Sequence, residues 1–342
     1  MAKEVTIKDV AREAGVSPMT VSRVLNNRPD VSAKTRKHVQ QVISHLGYSP
    51  SEVARSLSQG RSNTLGVVTS AIEYYGPSRA LVGIERRANE LGFSLMVKLL
   101  HNPLESRGEQ AFHELMANQV AGVVWAVAEM GSQRQWLYEQ LSDLAIPIVF
   151  INMAPRLDTS FVTVNNRLGG RLATEHLADQ GYEHIGIITG PLAWWEARER
   201  ELGWREIQQE GGRNDLEVLK VEGDWTAASG YRAMLTLLER APHVDAVFVC
   251  NDSMAQGALQ AATSRGRSIP ANLAVVGFDD IPESAYFIPP LTTVRQDLLS
   301  VGRQAVSQLH DQLVARKNQE NGLAQATIVE PQLIVRRSSL KE

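Results

Sequence analysis

Two sets of residues in this 342-residue chain have types and spacing suited to recognition rather than to covalent chemistry. The first is Ser17-Pro18-Met19-Thr20 followed by Ser22-Arg23. A guanidinium at Arg23 can give two parallel hydrogen bonds to a guanine edge. The hydroxyls of Thr20 and Ser22 and the backbone near Ser17 suit phosphate oxygens. The second set punctuates apolar runs along the rest of the chain. Tyr74, Tyr75 and Ser78 follow the first such run, and Asn152, Asn251-Asp252 and Asp279-Asp280 close later ones. Trp194-Trp195 precede Arg198 and Arg200, Trp225 follows Glu222-Gly223-Asp224, and Gln296 follows the last run. Polar pairs for neighbouring hydroxyls, aromatic faces for a ring's C–H surface and the fixed donor fork of Arg together suit a carbohydrate. Each residue alone has a plainer reading: Asp or Asn at a strand end often caps a helix, and Trp is more often core than platform. Trp204, beside Gly203 in a helical stretch, is assigned to the core on that ground.

Three short helices position the first set. Thr6 caps the first, with Asp9 in its first turn, Ile7, Val10, Ala11 and Ala14 at helical spacing, and Gly15 at its end. Ser17 caps the second, with Pro18 in its first position. Ser32 caps the third, which ends at Gly47. Two short helices joined by Gly15-Val16-Ser17 have helix-turn-helix spacing, which sends the second helix into a major groove; a plain three-helix bundle with a solvated face has the same spacing. Residues 1–62 carry ten Lys/Arg against five Asp/Glu, so a head of +5 sits on a body of −8, as expected where the head meets a polyanion. Ser49-Pro50-Ser51-Glu52 then starts a helix of about two turns, marginal alone in water. In it Leu57 beside Arg55 suits a wedge in the minor groove, or the segment is a flexible linker.

The second set needs a different frame. From Thr64 onward, candidate strands (64–69, 93–100, 120–126, 147–152, 184–189, 246–250, 273–277) alternate with helical stretches such as 79–91, 168–180 and 253–265. That alternation predicts parallel sheets covered by helices, and the length predicts two Rossmann-like lobes around a cleft. Ligands in such folds bind at the carboxyl ends of strands, where the polar residues cluster. One cysteine, Cys250, excludes a disulfide framework and a cysteine zinc site. No apolar run is long enough to span a bilayer, and residues 1–14 lack the apolar stretch of a signal peptide, so a cytoplasmic protein is expected. No Gly-x-Ser-x-Gly, P-loop, Gly-x-Gly-x-x-Gly or His-Glu-x-x-His motif argues for an enzyme, and neither cofactor nor metal is expected. A periplasmic-type sugar-binding protein fits the body but not the basic head.

Thr6-Ile7-Lys8-Asp9-Val10-Ala11, Gly15-Val16-Ser17, Thr20 to Asn26, Gly47-Tyr48 and Ala54-Arg55-Ser56-Leu57 resemble the headpiece and hinge of the lactose/galactose repressor family. Gly190-Pro191-Leu192, Glu222-Gly223-Asp224-Trp225, Asn251-Asp252, Gly277-Phe278-Asp279-Asp280 and Ile288 to Thr293 resemble its effector domain, so the likeness runs to about Ser339. It implies a transcription regulator, a repressor, with three parts: a small all-α helix-turn-helix headpiece (1–48), a hinge helix and linker (49–62), and an α/β core of two Rossmann-like, periplasmic-binding-protein-like lobes (63–342). It assigns operator contact to Thr6, Ser17, Pro18, Met19, Thr20, Ser22, Arg23, Asn26, Ala54, Arg55 and Leu57. Effector contact falls to Tyr75, Ser78, Asn152, Trp195, Arg200, Trp225, Asn251, Asp279 and Gln296. The implied partners are operator DNA, a second copy of the chain in a homodimer without the tethered tetramer, and a small mono- or disaccharide acting allosterically. Pro18-Met19 stands where the family's namesake has Tyr-Gln, so the operator should differ; Met19 can meet a thymine methyl but cannot donate to a base. Trp194 stands where the purine-binding branch has Arg, which counts against a purine, although a purine-like effector is the alternative.

Overall fold

The computed structural model describes residues 5–25, 28–48, 62–101, 107–130, 135–140, 144, 146–213, 216–320 and 323–341. Asn26, Ala54, Arg55 and Leu57, with the expected hinge helix, lie outside the described residues. The chain divides into two compact units, Met1–Asn63 and Thr64–Glu342.

In the first unit, α1 (Ile7–Glu13) starts at a reciprocal cap. The Asp9 amide donates to Thr6 Oγ1, and the Asp9 carboxylate accepts from the Thr6 amide at 3.0 Å. Such a cap is worth about 1 kcal/mol. Gly15 turns the chain at φ +62°. In α2 (Pro18–Leu25) the Thr20 amide donates to Ser17 Oγ at 3.1 Å. α3 (Ala33–Leu46) is capped by Ser32 and ends at Gly47, φ +61°. Arg36 of α3 donates to the carbonyls of Val24 and Arg28, tying the end of α2 to α3. Val10, Ala11, Ala14, Val21, Val24, Val39 and Val42 form the core.

The second unit has two six-stranded sheets. The first, in order β11-β5-β4-β3-β1-β2, joins β1 (Thr64–Ser70), β2 (Ser94–Leu100), β3 (Val123–Ala126), β4 (Ile148–Ile151), β5 (Ser160–Val164) and β11 (Ala326–Val329), all parallel. The second, in order β12-β10-β9-β8-β6-β7, joins β6 (Ile185–Thr189), β7 (Lys220–Glu222), β8 (Ala246–Val249), β9 (Ala274–Asp279), β10 (Thr292–Arg295) and the antiparallel β12 (Gln332–Ile334). Near-continuous burial along β1, β4, β5, β6, β8 and β9 is what a sheet covered on both faces requires. The chain passes between lobes after β5, after β10 and after β11, which makes three short crossings.

Helices α4 (Tyr75–Glu90) and α11 (Leu298–Lys317) pack together on the first lobe; α5 (Arg107–Ala117) and α6 (Gln135–Gln140) also belong to it. On the second lobe α7 (Asn166–Asp179) packs on α8 (Trp195–Glu210), and α9 (Ala227–Arg240) on α10 (Asp252–Ser264). The α7–α8 crossing is close because Gly170 and Gly203 meet backbone: a Cβ on Gly170 would lie 2.2 Å from the Arg200 carbonyl oxygen. Trp204 is fully buried and donates to the Ile185 carbonyl, as a core tryptophan should. One expected element starts elsewhere. The helix read as 79–91 begins at Tyr75, since Pro77, which has no N–H to lose, is tolerated in its first turn. No helix among the described residues is long and apolar enough to cross a membrane.

Candidate functional site

The exposed face of α2 carries the side chains expected to meet DNA. Ser17, Pro18, Met19 and Arg23 are exposed, Thr20 and Ser22 half-buried, and Thr6 is exposed at the start of α1. Met19, 64% exposed, is an apolar residue left in water while Val21 and Val24 are buried beneath it. Arg23 is held by Asp30 at 3.3 Å, both half-exposed. Such a pair is worth at most about 1 kcal/mol and is readily exchanged for a base edge. Thr6 and Ser17 are engaged in the caps described above, which leaves their oxygens further capacity for a phosphate.

In the second unit the carboxyl ends of β1, β4, β8 and β9 and the starts of α4, α8 and α10 line an open cavity. Of the nine residues expected at an effector, Tyr75, Asn152, Arg200, Trp225, Asn251, Asp279 and Gln296 line it. Five of the seven non-glycine residues with positive φ among the described residues stand around these strand ends: Ala71, Asn152, Trp225, Asp279 and Asp280. Backbone held in sparsely populated regions is typical of binding sites.

The polar residues divide by what already holds them. Arg200, 6% exposed, donates from Nε to Asn166 Oδ1 at 2.8 Å and from Nη1 to the Cys250 carbonyl at 2.5 Å. Its guanidinium stands 3.7 Å above the Phe278 ring and 5.5 Å from that of Trp225. Burial pulls its pKa below the ordinary guanidinium value, against the partial opposing pull of Asp279, Cys250 and Glu196. Asp279 accepts from Gln296 Nε2 at 2.6 Å. Burial pushes the Asp279 carboxyl up to about 6, against the opposing pull of Arg200 and the Gln296 hydrogen bond. Asn251 lines the cavity, but its side chain serves the scaffold: Oδ1 caps α10 through the Met254 amide at 2.8 Å, and Nδ2 donates to the Trp225 carbonyl at 3.0 Å. That second bond pins Trp225 at φ +72°. The indole lies against Gly190, where a Cβ would come within 2.1 Å of the ring.

Among the buried polar atoms of the wall, Trp225 Nε1 and Asn152 Oδ1 have no hydrogen-bond partner among the described residues. An unmatched buried donor or acceptor costs about 1–3 kcal/mol, and a ligand offering the complementary groups recovers it. Asp280, paired with Asp279 in sequence, turns away: its carboxylate takes Arg336 and Arg295, each at 2.7 Å. Burial works against its charge, but those two hydrogen bonds hold it below the usual carboxylate range. Asp252 is fully buried under the site, accepting from Thr293 Oγ1 at 2.6 Å and the Ile281 amide at 2.9 Å. Burial, then the charge of Asp279, raises it well above its ordinary value.

Two expected contacts differ. Trp194, not Trp195, lines the cavity. α8 begins at Trp195, so Trp194 is the extended cap residue, and its ring meets Trp225 edge-on at 5.9 Å. Trp195 instead gives its amide to the Glu129 carbonyl. Ser78 is absent from the lining: it lies in the first turn of α4 and donates to the Tyr75 carbonyl at 2.9 Å. Tyr74, which belongs to the aromatic set read from sequence, lines the cavity; Glu196 and Leu298 line it without any such signal, and Asn166 holds Arg200 from behind. Glu196 reads in sequence as an ordinary acid of a helix's first turn, and Asn166 carries no signal at all. At the mouth the lobes touch. Tyr74 meets Trp194 edge-on at 6.4 Å and donates to the Asp224 carbonyl at 3.3 Å, while Met130 and Trp194 form an isolated antiparallel bridge.

Residues 6–51 match the family described as bacterial regulatory proteins, lacI family, and residues 174–339 match the periplasmic binding protein-like domain. The lactose operon repressor of Escherichia coli (strain K12) is 34% identical over 308 residues, 90% of this chain and 84% of that protein. The HTH-type transcriptional repressor PurR of Haemophilus influenzae (strain PittEE) is 33% identical over 335 residues, 97% and 98% of the two chains. The crystal structure of the Lac repressor dimer bound to operator and the anti-inducer ONPF superposes with a TM-score of 0.87 at 32% identity, over 99% of this chain and 100% of that one. A transcriptional regulator CelR–cellobiose complex gives 0.72 at 31% identity, over 98% and 100%.

Proposed function

The chain belongs to the lacI family of bacterial regulatory proteins and is a DNA-binding transcriptional repressor, and from that premise we propose that it is a homodimer releasing a near-palindromic operator when a small sugar fills the cavity between its lobes. The observation that carries the sugar is the pairing of an unmatched donor, Trp225 Nε1, with an unmatched acceptor, Asn152 Oδ1, on a wall that also holds Arg200, Asp279 and the Trp194–Trp225 edge contact. A pyranose offers hydroxyls that both donate and accept, and a C–H face for the indoles. The wall is thus complementary to a polyol. Relatives that bear on this are named for lactose and for a cellobiose complex. The dimer follows from two-fold reading of a palindrome, and the relative bound to operator is itself a dimer.

The α2 face supplies the reading head: Arg23 for a guanine, Met19 for a thymine methyl, Thr20 and Ser22 with the Ser17 backbone for phosphates. Asn26, Ala54, Arg55 and Leu57 complete the contact by resemblance. Effector and operator are linked reciprocally: whatever the sugar costs the operator complex, the operator costs the sugar.

Operator sites selected from a random duplex pool, then challenged with lactose, cellobiose, ribose and hypoxanthine, test this. A sugar should release the DNA unaltered in structure, and Arg200→Ala should weaken that sugar at least tenfold, about 1.4 kcal/mol or more, while still retarding operator. Release by hypoxanthine with every sugar inert would refute the sugar; full sugar affinity in Arg200→Ala would refute the site. Sedimentation as a monomer at micromolar concentration would refute the dimer.

A further inference from the structure

The charge of the cavity wall bears on which ligands it accepts. Three ionisable side chains that line it are buried: Arg200, Asp279 and Glu196. Glu196 stands in the first turn of α8, one turn before Arg200. A helix's first turn is where free N–H groups and the dipole would hold an anion. Here the chain's own acid, Glu196, stands in that turn. The start of α10 carries the cap Asn251 and the fully buried Asp252. The nearby cations have other work. Arg200 has donors committed to Asn166 and the Cys250 carbonyl. Arg198 donates to the carbonyls of Leu192 and Ala193 at 2.9 and 2.8 Å, and Arg79 stands over the Tyr75 ring at 6.0 Å; neither lines the cavity.

We infer that Glu196 is a specificity-determining residue which, with Asp279, makes the cavity select an uncharged effector and reject its phosphorylated counterpart. This rests on the reading of the cavity as the effector site. A carboxyl accepts a hydrogen bond from a sugar hydroxyl at no electrostatic cost. A phosphate meets two carboxyl groups against one guanidinium, in a site where little water screens them. The start of α4, with no acid in its first turn and no side-chain cap at Tyr74, is where an anion would lodge if Glu196 failed to exclude it.

The test uses the full chain and its own tryptophans, since Trp194 and Trp225 line the cavity. Fluorescence titrations compare cellobiose with cellobiose 6-phosphate, glucose with glucose 6-phosphate, ribose with ribose 5-phosphate, and inosine with inosine monophosphate. Within the pair that binds, the phosphorylated member should be weaker by about 100-fold or more. Glu196→Gln should shrink that ratio at least tenfold, with operator retardation as the check that the variant folds. A phosphorylated sugar that binds as tightly as its neutral partner overturns the inference and leaves the sugar reading standing. An unchanged ratio in Glu196→Gln overturns the role of Glu196. Binding confined to inosine removes the sugar reading but decides the charge question by the same ratio, and silence from every ligand removes both.

Discussion

Asp279 is the residue at which stability and the proposed effector site oppose each other. Its carboxyl, raised by burial to about 6 against an ordinary 3.8, binds its proton more tightly in the folded chain than in the unfolded one. Folding is therefore favoured below pH 4, loses ground as pH rises from about 4 to 6, and carries the whole cost above 6. About two pKa units correspond to about 3 kcal/mol at most. Asp279→Asn, which keeps an oxygen for Gln296, should raise the melting temperature by several degrees at pH 7.5 and hardly at all at pH 4, read by calorimetry at both. A sugar hydroxyl donating to the carboxylate favours the ionised form, so effector affinity should be full above pH 6 and decline about tenfold per unit well below it, with proton release on binding near pH 6. An Asp279→Asn chain no more stable than wild type at pH 7.5 would contradict the burial argument.

At the scale of elements, recognition rests on how tightly helices are set. Arg200 is placed by the α7–α8 crossing, where Gly170 presses on its carbonyl. Gly170→Ala should cost about 1–3 kcal/mol of stability by overpacking, and it should weaken the effector by moving the guanidinium off Phe278. Chemical denaturation and calorimetry read the two effects separately. A variant as stable as wild type would mean that the helices part without loss. In the other unit α2 is a rigid rod seated by Val21 and Val24, so its exposed residues act position by position. Arg23→Ala should lose about 1–3 kcal/mol of operator affinity and relax preference at one base pair, measured against operators substituted at each position. Uniform loss across all sequences would make Arg23 a phosphate contact instead.

The whole second unit is two sheets joined by three short crossings, an arrangement suited to hinge motion. The contacts at its mouth, Tyr74 to Trp194 and to the Asp224 carbonyl, also join the lobes. Each is individually small; an aromatic pair of this kind contributes about 0.5–1.5 kcal/mol. Tyr74→Ala should therefore speed effector dissociation about three- to tenfold in stopped-flow fluorescence. Operator binding without effector should change little. If dissociation is unaltered, the mouth contacts do not retain the ligand.

The local frame is legible in adjacent residues. Thr6, Ser17 and Ser32 announce helix starts, Gly15 and Gly47 announce ends, and runs such as Ala246–Val249 read as strands buried on both faces, because caps, left-handed turns and periodicity are properties of adjacent residues. The residues that line the cavity were also within reach, since strand ends and helix starts follow from the same local signals, and the motifs around Arg200, Trp225 and Asp279 are dense enough to mark the family. Which side chains face inward depends on how distant elements pack. Trp194 rather than Trp195, and Asp279 rather than Asp280, differ by one residue in sequence and by a whole direction in space. Where α8 begins, and which way Arg295 and Arg336 pull Asp280, depend on strands far apart in the chain. Ser78 is spent on its own helix because α4 starts four residues earlier than its apolar spacing suggests. Asn166 holds Arg200 from a helix 34 residues away, a relation between distant positions that no local pattern encodes.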